Sequence, residues 1–436
     1  MIGAGAAGLA AARTLRRARL RVAVLEARQR IGGRVDTRLD PLLRVPLETG
    51  AEFIHGKSGT AFELARAAGL RIREVEGEVW RLQGGRLLSA DRPMARANAL
   101  LLLGEQLDVP FTDLLRQPEV RRRFGTADRQ LARSYVEGFF AADPVRAGTQ
   151  ALAVMVRRST ETEGHRSFRL MAGWGGLMDA LAQGLDPARG MLRLGAAVEE
   201  VRWRPGRVEV RARSLTGARL APLRGHQLLV TVPIGVLRDG IRFAPALPEV
   251  RRAAGRIETG PVVKVILRFR RRFWAEPARA GGRALPDMAF LLAPTQPIPT
   301  WWTLAPHRAP VLVGWAGGPR AALLSGRPER ELIALGLASL SQALRPLGVR
   351  RRELEELLDG ATVADWQADP WARGAYAVFP PGAAAEQRAL AQPVDGTIFF
   401  AGEATHAGGD AGTVHGAIET GERAASQLLA ERAHLR

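Results

Sequence analysis

The chain has 436 residues, enough for large cores and about two domains, and its 46% hydrophobic content is ordinary for a globular protein. No apolar run approaches the ~18 residues of a membrane helix, so no membrane span is expected, and the absence of cysteine excludes disulfides, thiolate metal sites and a cysteine-linked cofactor. The net charge of +19 invites a nucleic-acid reading, but 61 of the 63 basic residues are arginine, spread without a long tract. That pattern reads as a composition bias and solvated faces, so no nucleic-acid partner is expected. No secretory leader is visible. A cytoplasmic location is expected, unless the natural start lies upstream and carries a targeting segment.

Residues 2–34 organise the rest. Gly3, Gly5 and Gly8 form a G-x-G-x-x-G turn, followed by a helix over residues 9–19 rich in good helix formers. Residues 21–25 read as a buried strand that ends on Glu26. Glycines let a backbone approach a pyrophosphate at the helix N-terminus, and an acidic residue ~20 positions on accepts hydrogen bonds from an adenosine ribose. A carboxylate there disfavours the 2′-phosphate of NADP. In register, these parts predict a dinucleotide site with contacts at Gly3, Gly5, Ala7, Gly8 and Glu26. Only Met1 and Ile2 precede the turn, whereas a first strand of this kind is normally longer and central. A start upstream is therefore expected, since a missing central strand would leave both neighbours with unpaired backbone groups.

The continuation Glu26-Ala-Arg-Gln-Arg-Ile-Gly-Gly-Arg34 resembles the flavin amine oxidases, a family that includes monoamine oxidases, polyamine oxidases and lysine-specific histone demethylases. The resemblance implies FAD, with Arg28, Gly33 and Arg34 along its diphosphate. It continues in Leu47-Glu-Thr-Gly-Ala-Glu-Phe-Ile-His-Gly56, which implies flavin contacts at Gly50, Ala51, Glu52 and Phe53. The segment 36–47 reads as a short hairpin. A helix capped by Ser58 or Thr60 runs to Ala68 and ends at Gly69. Residues 58–164 read as mostly helical, broken at Pro93, Pro110 and Pro118.

Met171-Ala-Gly-Trp-Gly-Gly-Leu177 returns to family character, with a helix over residues 178–185. Residues 198–204 and 207–213 alternate as a hairpin. The resemblance implies that the Val198 backbone meets the adenine side of FAD. Residues 228–233 read as a buried strand, and further strands are expected over 261–270 and near 311–316. A helix is expected from Pro328. Trp301, Trp302 and Trp315 read as core more readily than as a pocket wall. Trp366-Gln-Ala-Asp-Pro-Trp-Ala-Arg-Gly-Ala-Tyr376 and Ile398-Phe-Phe-Ala-Gly-Glu-Ala-Thr-His406 are family hallmarks. They imply Glu403 on the ribityl or diphosphate part, and the helix opened by Thr413 and Val414 pointing at the flavin pyrimidine. The expected fold is α/β (α+β). A Rossmann-like FAD-binding domain comprises residues 1–58, 167–247 and 371–436, and a discontinuous substrate domain of mixed sheet and helices comprises 59–166 and 248–370.

Lys264 lies in the apolar strand Pro-Val-Val-Lys-Val-Ile-Leu-Arg-Phe269, sharing a face with Ile266, and is expected to be partly buried. A lysine retained in an arginine-rich chain suits a compact charge whose pKa falls on burial. The resemblance implies the lysine that holds a water against flavin N5. Ala375 stands where monoamine oxidases carry the flavin-linking cysteine, so FAD is expected to be non-covalent. Tyr376 matches the first ring of the family's amine cage, while the second position falls on Thr413. With His55 as a polar contact, this resembles polyamine oxidases and histone demethylases more than monoamine oxidases. The plain alternatives are a helix N-cap for Thr413 and a satisfied loop histidine for His55.

The implied reaction is hydride transfer from the amine α-carbon to flavin N5, imine hydrolysis, and reoxidation by O2 to give H2O2. The implied substrate is a small amine, polyamine-like or secondary. No metal is expected, because the seven histidines show no ligand spacing. An L-amino-acid oxidase, a desaturase-type or porphyrinogen-type flavoenzyme, or a flavin binder without turnover are the alternatives. The oligomeric state is not legible.

Overall fold

The computed structural model describes residues 1–89, 94–276 and 284–434; Pro93 lies outside them. The dinucleotide side is a short-stranded parallel arrangement. Strand Val24–Leu25 pairs with Leu192–Arg193, and strand Leu228–Val230 pairs with Ile398–Phe400. Between these pairs sits Ile2, bridged in parallel to both Leu25 and Val230. Ile2 N–H donates to Leu229, Gly3 N–H to Leu25 and Thr231 N–H to Ile2. Two residues before the turn therefore pair with both neighbours. The strand read over 21–25 is regular only at its last two residues, and its helix runs Ala6–Arg17.

The hairpins and caps form as their local chemistry dictates. Thr37–Leu39 pairs with Pro46–Glu48, and Ala196–Arg204 with Arg207–Ser214 through a turn closed by Arg204 and Arg207. Ser58 Oγ accepts the Ala61 N–H and caps the helix Gly59–Ala67.

A seven-stranded sheet dominates the other side. Its order is Leu358–Asp365, Val262–Phe269, Val311–Gly317, Thr300–Thr303, Met288–Leu292, Glu78–Gln83, Arg86–Ser89. Only the pair Met288–Leu292 and Glu78–Gln83 is parallel. The last two strands correct the mostly helical reading of residues 58–164. Glu78-Val-Trp-Arg-Leu-Gln83 alternates, so Trp80 and Leu82 face the core while Val79 and Arg81 face the other way.

The period of two sorts the whole sheet. Val263, Val265, Leu267, Leu291, Trp301 and Leu312 enter one core with Leu332, Leu337, Leu340 and Leu344 of the helix Glu329–Leu344. Burying each such large side chain contributes about 1.5–3 kcal/mol. The opposite face carries Lys264, Trp315, Trp302 and Phe290 and borders a cavity of about 1130 Å³ that reaches back to the glycine turn. Among the described residues no single helix is long and apolar enough to cross a membrane.

Candidate active site

The turn separates the jobs of its glycines. A Cβ on Gly8 would meet the Gly3 carbonyl oxygen at 2.1 Å, whereas one on Gly5 would find only Gly32 O, at 3.8 Å. Gly5 lines the cavity with Gly3 and Ala7, but Gly8 does not. Gly8 therefore serves the close strand-to-helix approach, which corrects its reading as a pyrophosphate contact. Gly5 leaves room that protein atoms do not fill, as a bound dinucleotide requires.

Glu26 is buried, with Oε2 accepting from Ala4 N–H (2.8 Å) and Oε1 from Arg28 N–H (2.9 Å). The Arg28 guanidinium grips Asp369 through two bonds of 2.8 and 2.7 Å. Arg34 donates to Glu403 at 2.8 Å and to the Ala375 carbonyl at 2.7 Å. The other Glu403 oxygen accepts from Gly412 N–H at 2.9 Å and Ala377 N–H at 3.3 Å. Each arginine is thus held by a carboxylate and presents its remaining donors to the cavity. Val198 lines the same end, beside the bulge between Val198 and Glu200. Gly33, Gly50, Ala51, Glu52, Phe53 and Val414 complete the sequence-derived contacts on this wall. The residues present fit a dinucleotide with a flat ring system.

Lys264 is fully buried, not partly. Its ammonium meets Glu52 and the carbonyl oxygens of Glu48 and, at 3.2 Å, Gly50, and it lies 5.4 Å from the Trp302 ring centroid. These three acceptors use all three of its donors. Burial draws the ammonium below the usual lysine range, and Glu52 opposes this. Burial alone would raise Glu52, but Lys264 and Arg169 outweigh it and hold its carboxyl below the usual range. Trp302 Nε1–H adds a bond to Glu52 at 2.9 Å, and Arg169 stacks 4.5 Å from the Phe53 centroid. The sequence reading missed Arg169. Its only local signal is a charge inside the strand Ser167–Leu170, which is otherwise apolar after its first residue.

The substrate side of the cavity is aromatic. The Tyr376 hydroxyl donates to the Phe139 carbonyl at 2.6 Å, and its ring stands against Gly412. Tyr135 and Phe139 stack at 4.9 Å, and His55 meets Phe139 edge-on at 5.1 Å. His55 Nδ1 lies 3.3 Å from Ser167 Oγ, and burial, with His415 nearby, pushes its pKa down to about 4. Thr413 lines the cavity, but its hydroxyl donates to Asp410 O (2.7 Å) and accepts from Gly416 N–H (3.0 Å), capping the helix Val414–His434. The tryptophans split: Trp301 is core, while Trp302 and Trp315 wall the cavity.

His406, Asp410 and Glu419 come together although no sequence spacing suggests it, with ligand atoms within 4.8 Å of one another. Those atoms are occupied by one another and by protein partners. His406 Nε2 meets Glu419 at 2.9 Å, Thr60 donates to Glu419 at 2.6 Å, and Asp410 takes Arg158 at 2.8 Å.

Comparison with known proteins agrees with this geometry. Residues 6–429 match the family model of flavin containing amine oxidoreductase. The chain is 27% identical to human lysine-specific histone demethylase 2 over 99% of its own length and 53% of that protein. It is 28% identical to polyamine oxidase 4 of Oryza sativa subsp. japonica, over 98% of the chain and 87% of that protein. The chain spans about half the length of human lysine-specific histone demethylase 2 and of two further histone demethylases it matches. Among solved structures, putrescine oxidase bound to putrescine superposes with a TM-score of 0.79 at 22% identity, covering 98% of both chains. Cyclohexylamine oxidase from Brevibacterium oxydans IH-35A gives 0.77 at 21%, covering 100% of this chain and 98% of that one. A family match over nearly the whole chain, on a cavity shaped for a flavin dinucleotide, places this protein among the flavin-containing amine oxidoreductases, with FAD as its cofactor.

Proposed function

We propose that the chain oxidises an amine at the carbon next to nitrogen, favouring secondary or polyamine-like amines over small primary arylalkyl amines, with O2 as acceptor. FAD, held by the residues described above, would supply the chemistry: acceptance of hydride from that carbon and its delivery as electrons to O2, giving H2O2 and an imine that water hydrolyses. The protein binds, orients and excludes water.

One observation carries the preference. Tyr376 is fixed beside Gly412, and the neighbouring cage position is Thr413, a helix cap rather than a second ring. One missing face forgoes roughly 0.5–2 kcal/mol of cation–π attraction but leaves room for a substituent on nitrogen. The neutral His55 offers a polar contact to that nitrogen without charge repulsion. Polyamine oxidase relatives support the same direction. The Lys264 donor directed at Gly50 is a long one, and its release would free one N–H to hold a water in the cavity.

FAD is held without a covalent bond, because Ala375 precedes Tyr376 and the chain has no cysteine. Acid precipitation should leave a yellow supernatant; colour kept in the pellet contradicts this. The substrate test is peroxide yield from N-acetylated polyamine, spermidine, benzylamine and L-amino acids side by side. Benzylamine turned over best by a clear margin refutes the Thr413 and His55 argument. Peroxide only from amino acids favours an amino-acid oxidase, and none at all favours a flavin binder without turnover.

A further inference from the structure

The large sheet sets five residues in one row across five strands. Lys264 pairs with Trp315, Trp315 with Thr300, Thr300 with Leu292 and Leu292 with Arg81. Directly paired residues share a face, and all five border the cavity. Four strand spacings of ~4.8 Å separate the Lys264 strand from the Arg81 strand by about 19 Å. The floor between the two cations is uncharged.

The outer end of this row differs electrostatically from the rest of the wall. Arg81 has no hydrogen bond or ion pair from its guanidinium to any described residue. Arg320, on the helix Gly318–Leu324, also borders the cavity and donates to the Gln296 and Pro294 carbonyls at 2.9 and 2.7 Å. That loop follows directly on the strand carrying Leu292. Carbonyl partners leave its charge uncompensated and three of its five donors unused. The carboxylates on the substrate side are each neutralised instead: Glu137 by Arg133, Glu163 by Lys57 and Arg166, Asp410 by Arg158.

We propose that Arg81 and Arg320 form an anion subsite, and that the amine oxidised at the Lys264 end carries a carboxylate at its far end, joined by an apolar body. This rests on the secondary-amine reading above and divides it. A polyamine would bring an ammonium against two uncompensated guanidinium groups, where like charges repel. A carboxylate meets planar donors matched to its two oxygens. The Leu292 and Trp315 floor suits an alkyl or aryl body.

The test uses the holoenzyme and three N-methyl alkylamines of equal chain length, ending in methyl, carboxylate or ammonium. The carboxylate-ended amine should show a KM about tenfold below the methyl-ended one, the scale of one charge-assisted hydrogen bond, with similar kcat; the ammonium-ended amine should be poorest. In Arg81→Gln the KM ratio should fall toward one, and in Arg81→Glu the order of the two charged substrates should reverse. A wild-type preference for the ammonium end overturns the proposal, as does a carboxylate preference that survives Arg81→Glu. If none of the three is oxidised, the secondary-amine reading fails instead. Binding of the carboxylate-ended amine, read from the perturbed flavin spectrum in wild type and Arg81→Glu, then decides the subsite on its own. Equal affinity in the two proteins refutes it.

Discussion

The two ends of the cavity are built on opposite plans. At the dinucleotide end three charged groups have fixed protein partners: Glu26 holds two backbone N–H groups, Arg28 holds Asp369, and Arg34 holds Glu403. At the substrate end the wall is aromatic, His55 is kept neutral, and two arginines stand without carboxylates. A cofactor that never leaves is best served by groups already oriented before it binds. A substrate that must enter, react and leave is better served by an apolar channel with few polar anchors. Lys264 and Glu52 sit at the junction, and their pairing links the large sheet to the segment that follows the first hairpin.

The junction gives the largest expected effect. Lys264→Met leaves the buried Glu52 carboxylate with Arg169 as its one cation and the Trp302 N–H as its other donor, so stability should fall by about 3 kcal/mol. Denaturant unfolding of the holoenzyme measures this, and stopped-flow traces should show slower flavin reduction or reoxidation with FAD still bound. Unchanged half-reactions would detach Lys264 from the chemistry and leave it a structural cation.

A smaller effect is expected at the cofactor end. Arg34→Ala removes the partner of Glu403 and a donor to Ala375 O. Losing one charge-assisted bond, ~1.5–3 kcal/mol, should weaken FAD binding roughly 10- to 100-fold, read by flavin titration of the apoprotein. Amine KM in the fully loaded enzyme should move little; a large KM change would mean that the two ends are not separable.

Trp302→Phe tests the junction from the substrate side. A six-membered ring is kept, but the pyrrole ring and its N–H to Glu52 are lost, so the expected cost is about 2 kcal/mol of stability, shared between the hydrogen bond and the lost packing. A loss as large as that of Lys264→Met would place the indole, not the ammonium, at the centre of the Glu52 site.

The subtlest distinction is in pH. The His55 pKa falls from 6.5 to about 4, so the folded state binds fewer protons than the unfolded one in that window. Its contribution to stability is lost as pH drops from 6.5 toward 4. Burial pushes the Glu48 carboxyl up from 4.5 to about 7, which has the opposite sign: its contribution is complete below 4.5 and is lost as pH rises through 7. His55→Asn should therefore flatten the acid side of the stability profile, and Glu48→Gln the neutral side. The same change of slope in both variants would mean that neither group titrates as its surroundings require.

Legibility followed the same division. The glycine turn, its helix and Glu26 lie within one short stretch, so their order and spacing alone announced a dinucleotide site. The hairpins at 37–48 and 196–214 and the Ser58 cap also follow from neighbours in sequence. The segment Glu78–Gln83 was missed among helical stretches, although Val79, Trp80 and Leu82 suit a strand and Gly84-Gly85 turns it into the neighbouring strand Arg86–Ser89; its other partner lies about two hundred residues away. Gly8 was given to the ligand when its neighbour is the Gly3 carbonyl, and the three tryptophans could not be divided between core and cavity without strand register.

The sequence by itself determined that the chain carries a dinucleotide-type glycine turn, that no cysteine can tether a flavin, and that one lysine sits in an apolar strand, because each of these is a property of residue type and short spacing. Tertiary structure alone decided that Lys264 faces Glu52, that Arg169 and Trp302 complete that site, and that Arg81 ends the row Lys264 begins. Those contacts join strands from distant parts of the chain, and their register is set by hydrogen bonds and core packing across the sheet, which no local pattern records.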